Sequence, residues 1–171
     1  MRFGILTISD RSSRGERPDL SGPVLMESVR AQGWQIINSA IVPDSIDIIR
    51  EKLIEWADSG DLDVILTTGG TGFAPRDVTP EATRMILERL TPGLDESMRS
   101  NSLKITPHAM LSRAVSGIRK QTIIINLPGS PKAAVENLLV LTQVLEHASK
   151  LLKDDPNSEE GHNLKKYPNS H

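Results

Sequence analysis

The stretch from Leu62 to Thr83 constrains this chain more than any other part of it. An apolar run, Leu62-Asp63-Val64-Ile65-Leu66, feeds through Thr67-Thr68 into Gly69-Gly70-Thr71-Gly72. A short polar loop follows with Arg76 and Asp77, and Thr79-Pro80-Glu81 then opens a helix. Near-continuous apolar residues are what a strand covered on both faces needs. Glycines let a backbone approach an anion closely, and the first turn of a helix presents amides without intrahelical partners. Strand, glycine turn, polar loop and helix start together predict a phosphate-binding turn in an α/β protein.

The rest of the chain repeats the alternation. Phe3–Ile8 reads as a buried strand, 9–19 as a polar loop, Leu20–Ala31 as a helix stopped by Gly33, and Gln35–Val42 as a strand. Pro43-Asp44-Ser45 starts a helix with apolar positions Ile46, Ile49, Leu53 and Trp56. Thr79 is the expected N-cap of the next helix, with Pro80 at its first position. Pro92-Gly93 separates that helix from another, from Leu94 to about Lys104. The segment 111–118 is mixed. Thr122–Leu127 is a clear strand, and Ser130-Pro131 opens the longest helix, with the stripe Ala134, Leu138, Leu141, Leu145, Ala148, Leu152. These elements predict one α/β domain over 1–153, a three-layer α/β/α sandwich with a mostly parallel sheet. Beyond it, 154–171 reads as a polar tail, loose or laid over a neighbouring subunit. Four strand ends then meet on one rim, at Ser9-Asp10, Pro43-Asp44, the Gly69 turn and 126–130.

Composition removes several classes of function. There is no cysteine among the 171 residues, which excludes disulfides, thiolate metal sites and a cysteine nucleophile. A net charge of −2 and 3% aromatic residues argue against nucleic acid as a partner. The first apolar run meets Ser9-Asp10 too early for a signal segment, and no run reaches the length of a membrane span. A soluble protein of the reducing cytoplasm is expected.

Several residue types could carry chemistry. Gly69, Gly70, Thr71, Gly72 and Arg76 can offer backbone donors, one hydroxyl and one cation to an anion, or the glycines can simply make a tight turn. No Walker lysine follows at the spacing a P-loop requires. Asp77 can serve turn chemistry, and Asp44 can cap the helix starting near Ser45. Together at two strand ends they can instead hold Mg²⁺, which takes oxygen ligands and substrate phosphates. Ser112-Arg113 is either an ordinary surface pair or a phosphate contact. Pro128-Gly129-Ser130 is a second strand-to-helix turn, either a plain connection with Ser130 as cap or a wall of a nucleotide pocket. His108, His147, His162 and His171 lack metal-ligand spacing.

Four stretches bring these residues into one pattern: S-D-R-S-S-R-G-E-R-P-D-L-S-G-P (9–23), V-P-D (42–44), T-T-G-G-T-G-F-A-P-R-D-V-T-P-E-A-T (67–83) and N-L-P-G-S-P-K-A (126–133). They resemble the Mog-type molybdopterin adenylyltransferase family of molybdenum-cofactor biosynthesis, which includes the G domains of gephyrin and its plant counterpart. The segment 102–119 is similar to those plant and animal G domains. The resemblance covers about Met1 to Leu152. It implies a trimer that transfers AMP from Mg-ATP to the terminal phosphate of molybdopterin, releasing pyrophosphate. A molybdate-inserting partner enzyme would then take the product. It also implies that Asp44, Asp77 and Ser112 are the catalytic positions and that Asp77 and Asp44 hold Mg²⁺. Gly69, Gly70, Thr71 and Gly72 would line the nucleotide and pterin-phosphate site, bordered by Pro128, Gly129 and Ser130.

Two rival readings remain at this level. One is a non-catalytic molybdopterin-binding or trimeric scaffold module of the MoaB type. The other is an unrelated nucleotide hydrolase built on the same turn, against which the missing Walker lysine counts.

Overall fold

The computed structural model describes residues 1–153. The reading of 154–171 as a tail therefore lies outside the described residues. Six strands form one sheet in the order β2-β1-β3-β6-β5-β4. The strands are β1 (Arg2–Ile8), β2 (Gln35–Val42), β3 (Val64–Thr68), β4 (Arg89–Leu90), β5 (Ser116–Arg119) and β6 (Thr122–Leu127). β2, β1, β3 and β6 run parallel. β5 is antiparallel to β6 and to β4, so the sheet is mostly parallel with a short antiparallel edge. The helices are α1 (Asp10–Ser13), α2 (Ser21–Ala31), α3 (Ile46–Asp58), α4 (Thr79–Arg84), α5 (Pro92–Leu103) and α6 (Pro131–Leu152).

Strand periodicity divides the core into two layers. Successive side chains point to opposite faces of a sheet. Phe3, Ile5, Val64, Leu66, Ile123 and Ile125 pack with Leu25 and Val29 of α2, Met98 of α5, and Leu138, Leu141 and Leu145 of α6. Leu6, Ile8, Ile65 and Ile124 pack on the other side with Ile49, Leu53 and Trp56 of α3 and Ala82 of α4. Helices thus cover both faces, giving the α/β/α sandwich. In α6, Ala134, Leu138, Leu141 and Leu145 are buried, and Ala148 and Leu152 pack against the same cluster.

Several local expectations change. The loop 9–19 holds the short helix α1, capped by Ser9, whose hydroxyl accepts from the Ser12 amide at 3.2 Å. Thr79 is not an N-cap. Val78 takes that position without a side-chain bond, and the Thr79 hydroxyl donates to Gly69 O at 2.8 Å. Pro92 and Gly93 lie inside the first turn of α5 rather than before it. The unassigned segment 111–118 follows a 3-10 turn (Pro107–Leu111) and enters β5. Ser130 stands at the N-cap position of α6 but makes no capping bond.

The chain order positions the site. From β1 the chain steps through α2 to β2 on one side, then through α3 to β3 on the other side of β1. The connections therefore diverge between β1 and β3. In open α/β sheets the crevice beyond such a point, at the carboxyl ends of the strands, receives the ligand. Among the described residues no helix is long and apolar enough to cross a membrane.

Candidate functional site

The divergence point carries a polar cleft of about 280 Å³, lined among others by Ser9, Asp44, Gly69, Gly70, Arg76 and Asp77. Its floor is the glycine turn. Gly69 has φ +102°, and a Cβ there would lie 2.3 Å from Ile8 O of β1. Gly70 has φ +62°, and a Cβ would lie 2.4 Å from Thr79 Oγ1 and 3.2 Å from Asp44 Oδ1. Only glycine fits both the left-handed backbone and these approaches. The Gly69 amide is taken by Leu127 O at 3.3 Å, whereas the Gly70 and Thr71 amides have no partner among the described residues. Two successive unpaired amides over a cleft form a concavity suited to an anion.

Asp44 enters the cleft from the end of β2. It is not a helix cap. Its Oδ2 accepts the Asp10 amide at 2.7 Å, and Asp10 Oδ1 accepts the Asp44 amide at 3.0 Å. The ends of β1 and β2 are thus cross-braced by two reciprocal carboxylate–amide bonds. Asp77 enters from the loop after β3, where its Oδ2 accepts the Ala74 amide at 3.0 Å. Arg76 lies between the acidic groups, 3.5 Å from Asp10 and 4.0 Å from Asp44. Burial pushes the Asp44 carboxyl above its ordinary range. The Asp10 amide and the Arg76 charge pull it back, and the charges of Asp10 and Asp77 add to the rise. The cleft is lined by three carboxylates, Asp19, Asp44 and Asp77, and by three arginines, Arg11, Arg17 and Arg76, so its charges balance.

The chemistry of this donor set suits Mg²⁺. Among the described residues no three or more His, Asp or Glu side chains cluster as a closed metal cage. Mg²⁺ commonly uses one or two carboxylates, with water and substrate phosphates completing its shell. Asp44 and Asp77 are the carboxylates that could supply that set, and the missing Cβ at Gly70 leaves room beside Asp44 Oδ1.

The opposite wall is basic. Arg11 and Arg17 line the cleft from the loop after β1. They lie within the quoted 9–23 stretch, yet sequence reasoning gives them no role. The available signal is their position, since that loop also follows a parallel strand. Asp19 on this wall is committed to structure. Its carboxylate accepts from Thr7 Oγ1 at 2.7 Å and from the amides of Ser21 and Gly22 at 3.0 Å, and so caps α2.

A second cleft of about 260 Å³ lies on the other side of the turn, with almost wholly apolar walls. Thr71, Gly72, Met98, Leu111, Ser112 and Pro128 line it. The expected site residues therefore divide. Gly69, Gly70, Arg76, Asp44, Asp77 and Gly129 border the polar cleft, while Thr71, Gly72, Ser112 and Pro128 border the apolar one. Ser130 is exposed and lines neither, between Gly129 and Pro131 at the polar rim. The Ser112 hydroxyl accepts a long bond from the Ala114 amide at 3.4 Å, which leaves its proton available to a ligand. Asp95, also in this cleft, accepts from Ser116 Oγ at 2.7 Å. Burial raises its carboxyl, opposed by the Ser116 bonds and by Arg99 and Arg84.

A polar cleft thus lies at the divergence point of a parallel sheet, with an apolar cleft across the glycine turn from it. Residues 4–147 match the family described as "Probable molybdopterin binding domain", and the chain belongs to that family. It is 45% identical over 176 residues to gephyrin of Dictyostelium discoideum, covering 96% of this chain and 24% of that protein. The chain thus spans about a quarter of the length of that relative. It is 44% identical over 140 residues to molybdopterin adenylyltransferase of Helicobacter pylori J99, covering 81% of this chain and 80% of that one. The crystal structure of the molybdopterin biosynthesis enzyme MoaB from Thermus thermophilus superposes with a TM-score of 0.85 at 49% identity, covering 91% of this chain and 98% of that chain.

Proposed function

We propose that the protein is a molybdopterin adenylyltransferase of molybdenum-cofactor biosynthesis. The observation that carries this reading is the pair of clefts sharing the Gly69–Gly72 turn, one polar with Asp44 and Asp77, the other apolar with Ser112. An adenylyl transfer needs two phosphorylated ring substrates held end to end, and such transfers depend mainly on positioning and charge neutralisation. The relatives named molybdopterin adenylyltransferase supply the same activity class.

In the reaction, an oxygen of the terminal phosphate of molybdopterin bonds to the α-phosphorus of ATP. The bond from that phosphorus to the bridging oxygen breaks, and pyrophosphate leaves. The unpaired Gly70 and Thr71 amides steady a phosphate, and Ser112 donates its proton to a phosphate oxygen at the mouth of the apolar cleft. A heteroaromatic ring occupies the apolar cleft. Arg11, Arg17 and Arg76 face the departing phosphates. Asp44 and Asp77 would hold Mg²⁺, which would supply charge neutralisation to the transferring phosphates. No protein nucleophile is required, which agrees with a chain that has no cysteine.

The exposed apolar residues Leu103, Ile105, Met110 and Leu111 near the apolar cleft support a self-association surface, and the family resemblance supplies the homotrimer. Handover of product to a molybdate-inserting enzyme and a cytoplasmic setting belong to the same reading. The test is pyrophosphate release from ATP and Mg²⁺ with and without molybdopterin. Release only with molybdopterin is expected. Release without it would mean a hydrolase, and tight molybdopterin binding with no release would mean a binding or scaffold module.

A further inference from the structure

Arg113 joins the two clefts. The sequence offers it as a solvated side chain or a phosphate contact, and its bonds fit neither. Its backbone N–H donates to Thr71 O at 3.0 Å. Its Nε donates to Gly72 O at 2.7 Å, one terminal nitrogen donates to Asp77 O, and the other pairs with the Glu81 carboxylate. All three nitrogens of the guanidinium therefore bond to the segment between Gly72 and Glu81, with Asp77 inside it.

That segment needs such a clamp. Phe73, Ala74, Pro75 and Arg76 are all exposed, so little packing holds them. The internal bonds are the Asp77 amide to Ala74 O at 2.8 Å and the Ala74 amide to Asp77 Oδ2 at 3.0 Å. They fix the turn's shape but not its place on the body of the protein. A planar fork with donors in fixed directions can hold two carbonyls and a carboxylate at once, whereas a lysine ammonium is a flexible point donor. The neighbouring residue, Ser112, opens on the apolar cleft, and its carbonyl accepts from Arg99 at 3.5 Å. Residues 112 and 113 thus tie one cleft's hydroxyl to the other cleft's carboxylate loop.

The geometry points to Arg113 as a positioning residue: by gripping Gly72, Asp77 and Glu81 it sets the Asp77 carboxylate in register with Ser112, so that groups bound in the two clefts meet. Its kinetic consequence rests on the transferase reading above, while its grip on the loop does not. The full chain is compared with Arg113→Ala and Arg113→Lys in three measurements. Amide exchange over 72–78 should speed about tenfold in the Ala variant, with strand amides unchanged. In the transfer assay kcat should fall about 30-fold or more, with KM for molybdopterin within about threefold. Guanidinium ion at tens of millimolar should return about fivefold of the lost rate to the Ala variant, and ammonium should not. Lys should recover only a minor part of the rate. Unchanged exchange over 72–78 would overturn the proposal. So would a loss confined to KM, or full rescue by Lys. If the Ala variant does not fold, the Lys variant carries the same comparisons. If the wild type transfers no AMP, the transferase reading fails, and the exchange measurement still decides whether Arg113 holds the loop.

Discussion

Asp77 is the residue whose removal is expected to cost most for least structural change. Its side chain makes one local bond, to the Ala74 amide, and otherwise faces the cleft. Asp77→Asn should keep the fold, as judged by an unchanged circular-dichroism melt. It should slow adenylyl transfer about a hundredfold, or roughly 3 kcal/mol of barrier. Equal rates would remove Asp77 from the mechanism. Gly69 is constrained differently. A Cβ at 2.3 Å from Ile8 O cannot be relieved by a rotamer, because the obstacle is backbone of β1. Gly69→Ala should lower stability by about 2 kcal/mol in a urea melt and weaken phosphate-dependent binding with it. Asp44 sets a pH dependence. Burial and the neighbouring acids raise its carboxyl while Arg76 lowers it, and metal binding requires the ionised form. Activity should therefore fall, as pH drops, at a higher pH than an ordinary aspartate would give. Arg76→Gln should move that acid limb further up, as read from a pH–rate profile. A limb shifted downward would contradict this electrostatic account. These individual roles are only partly legible in the sequence. Asp44 and Asp77 can be read as a pair because both follow strands in a parallel pattern. Arg113 cannot, since its partners are chiefly carbonyl oxygens of a loop far from it in sequence, and such bonds leave no residue-type signature.

At the scale of elements, long apolar runs are legible and short polar ones are not. β1, β3 and β6 are buried along almost their whole lengths, so their sequences are nearly continuous in Ile, Val, Leu and Thr. β4 is the edge strand and β5 its neighbour; each is short, contains an arginine and pairs antiparallel, so they carry neither an apolar run nor a crossover helix to announce them. Thr79 looks like a cap because it precedes Pro80 and Glu81. Its hydroxyl serves the glycine turn instead, closing the loop onto Gly69 O. The end of α6 adds an anchor remote from the clefts. Asp63, with only 4% of its side chain exposed, accepts from Lys153 Nζ at 2.6 Å and from the Arg2 amide at 2.7 Å. Burial raises its carboxyl, but the Lys153 and Arg2 bonds outweigh it, and the net shift is downward. A carboxylate with a lowered folded-state pKa contributes stability above its unfolded value and loses it as pH falls through the folded one. Asp63→Asn should therefore cost about 2 kcal/mol at neutral pH, with the gap to wild type closing in acid. A gap that widens in acid would reverse that assignment. Transfer activity, per folded molecule, should be unaffected.

For the whole molecule, topology places the chemistry. Four parallel strands deliver their carboxyl ends to one rim, and the chain diverges between β1 and β3, where the polar cleft lies. This much follows from alternating strands and helices. The division into two clefts does not, because it depends on where the 3-10 turn and Ser112 pack against α5 and α6, which no local pattern specifies. The glycine turn acts as a partition with Gly69 and Gly70 on its polar side and Thr71 and Gly72 on its apolar side. In the proposed reaction, phosphates in one cleft meet a ring-bearing phosphate from the other across this partition. The most direct test uses ATP labelled at its α-phosphorus, incubated with the protein, Mg²⁺ and molybdopterin, with the products resolved by mass. The label should move to molybdopterin, whose mass rises by one adenylyl group, with one pyrophosphate formed per transfer. Label recovered only as ATP, or only as free AMP, would contradict that reaction.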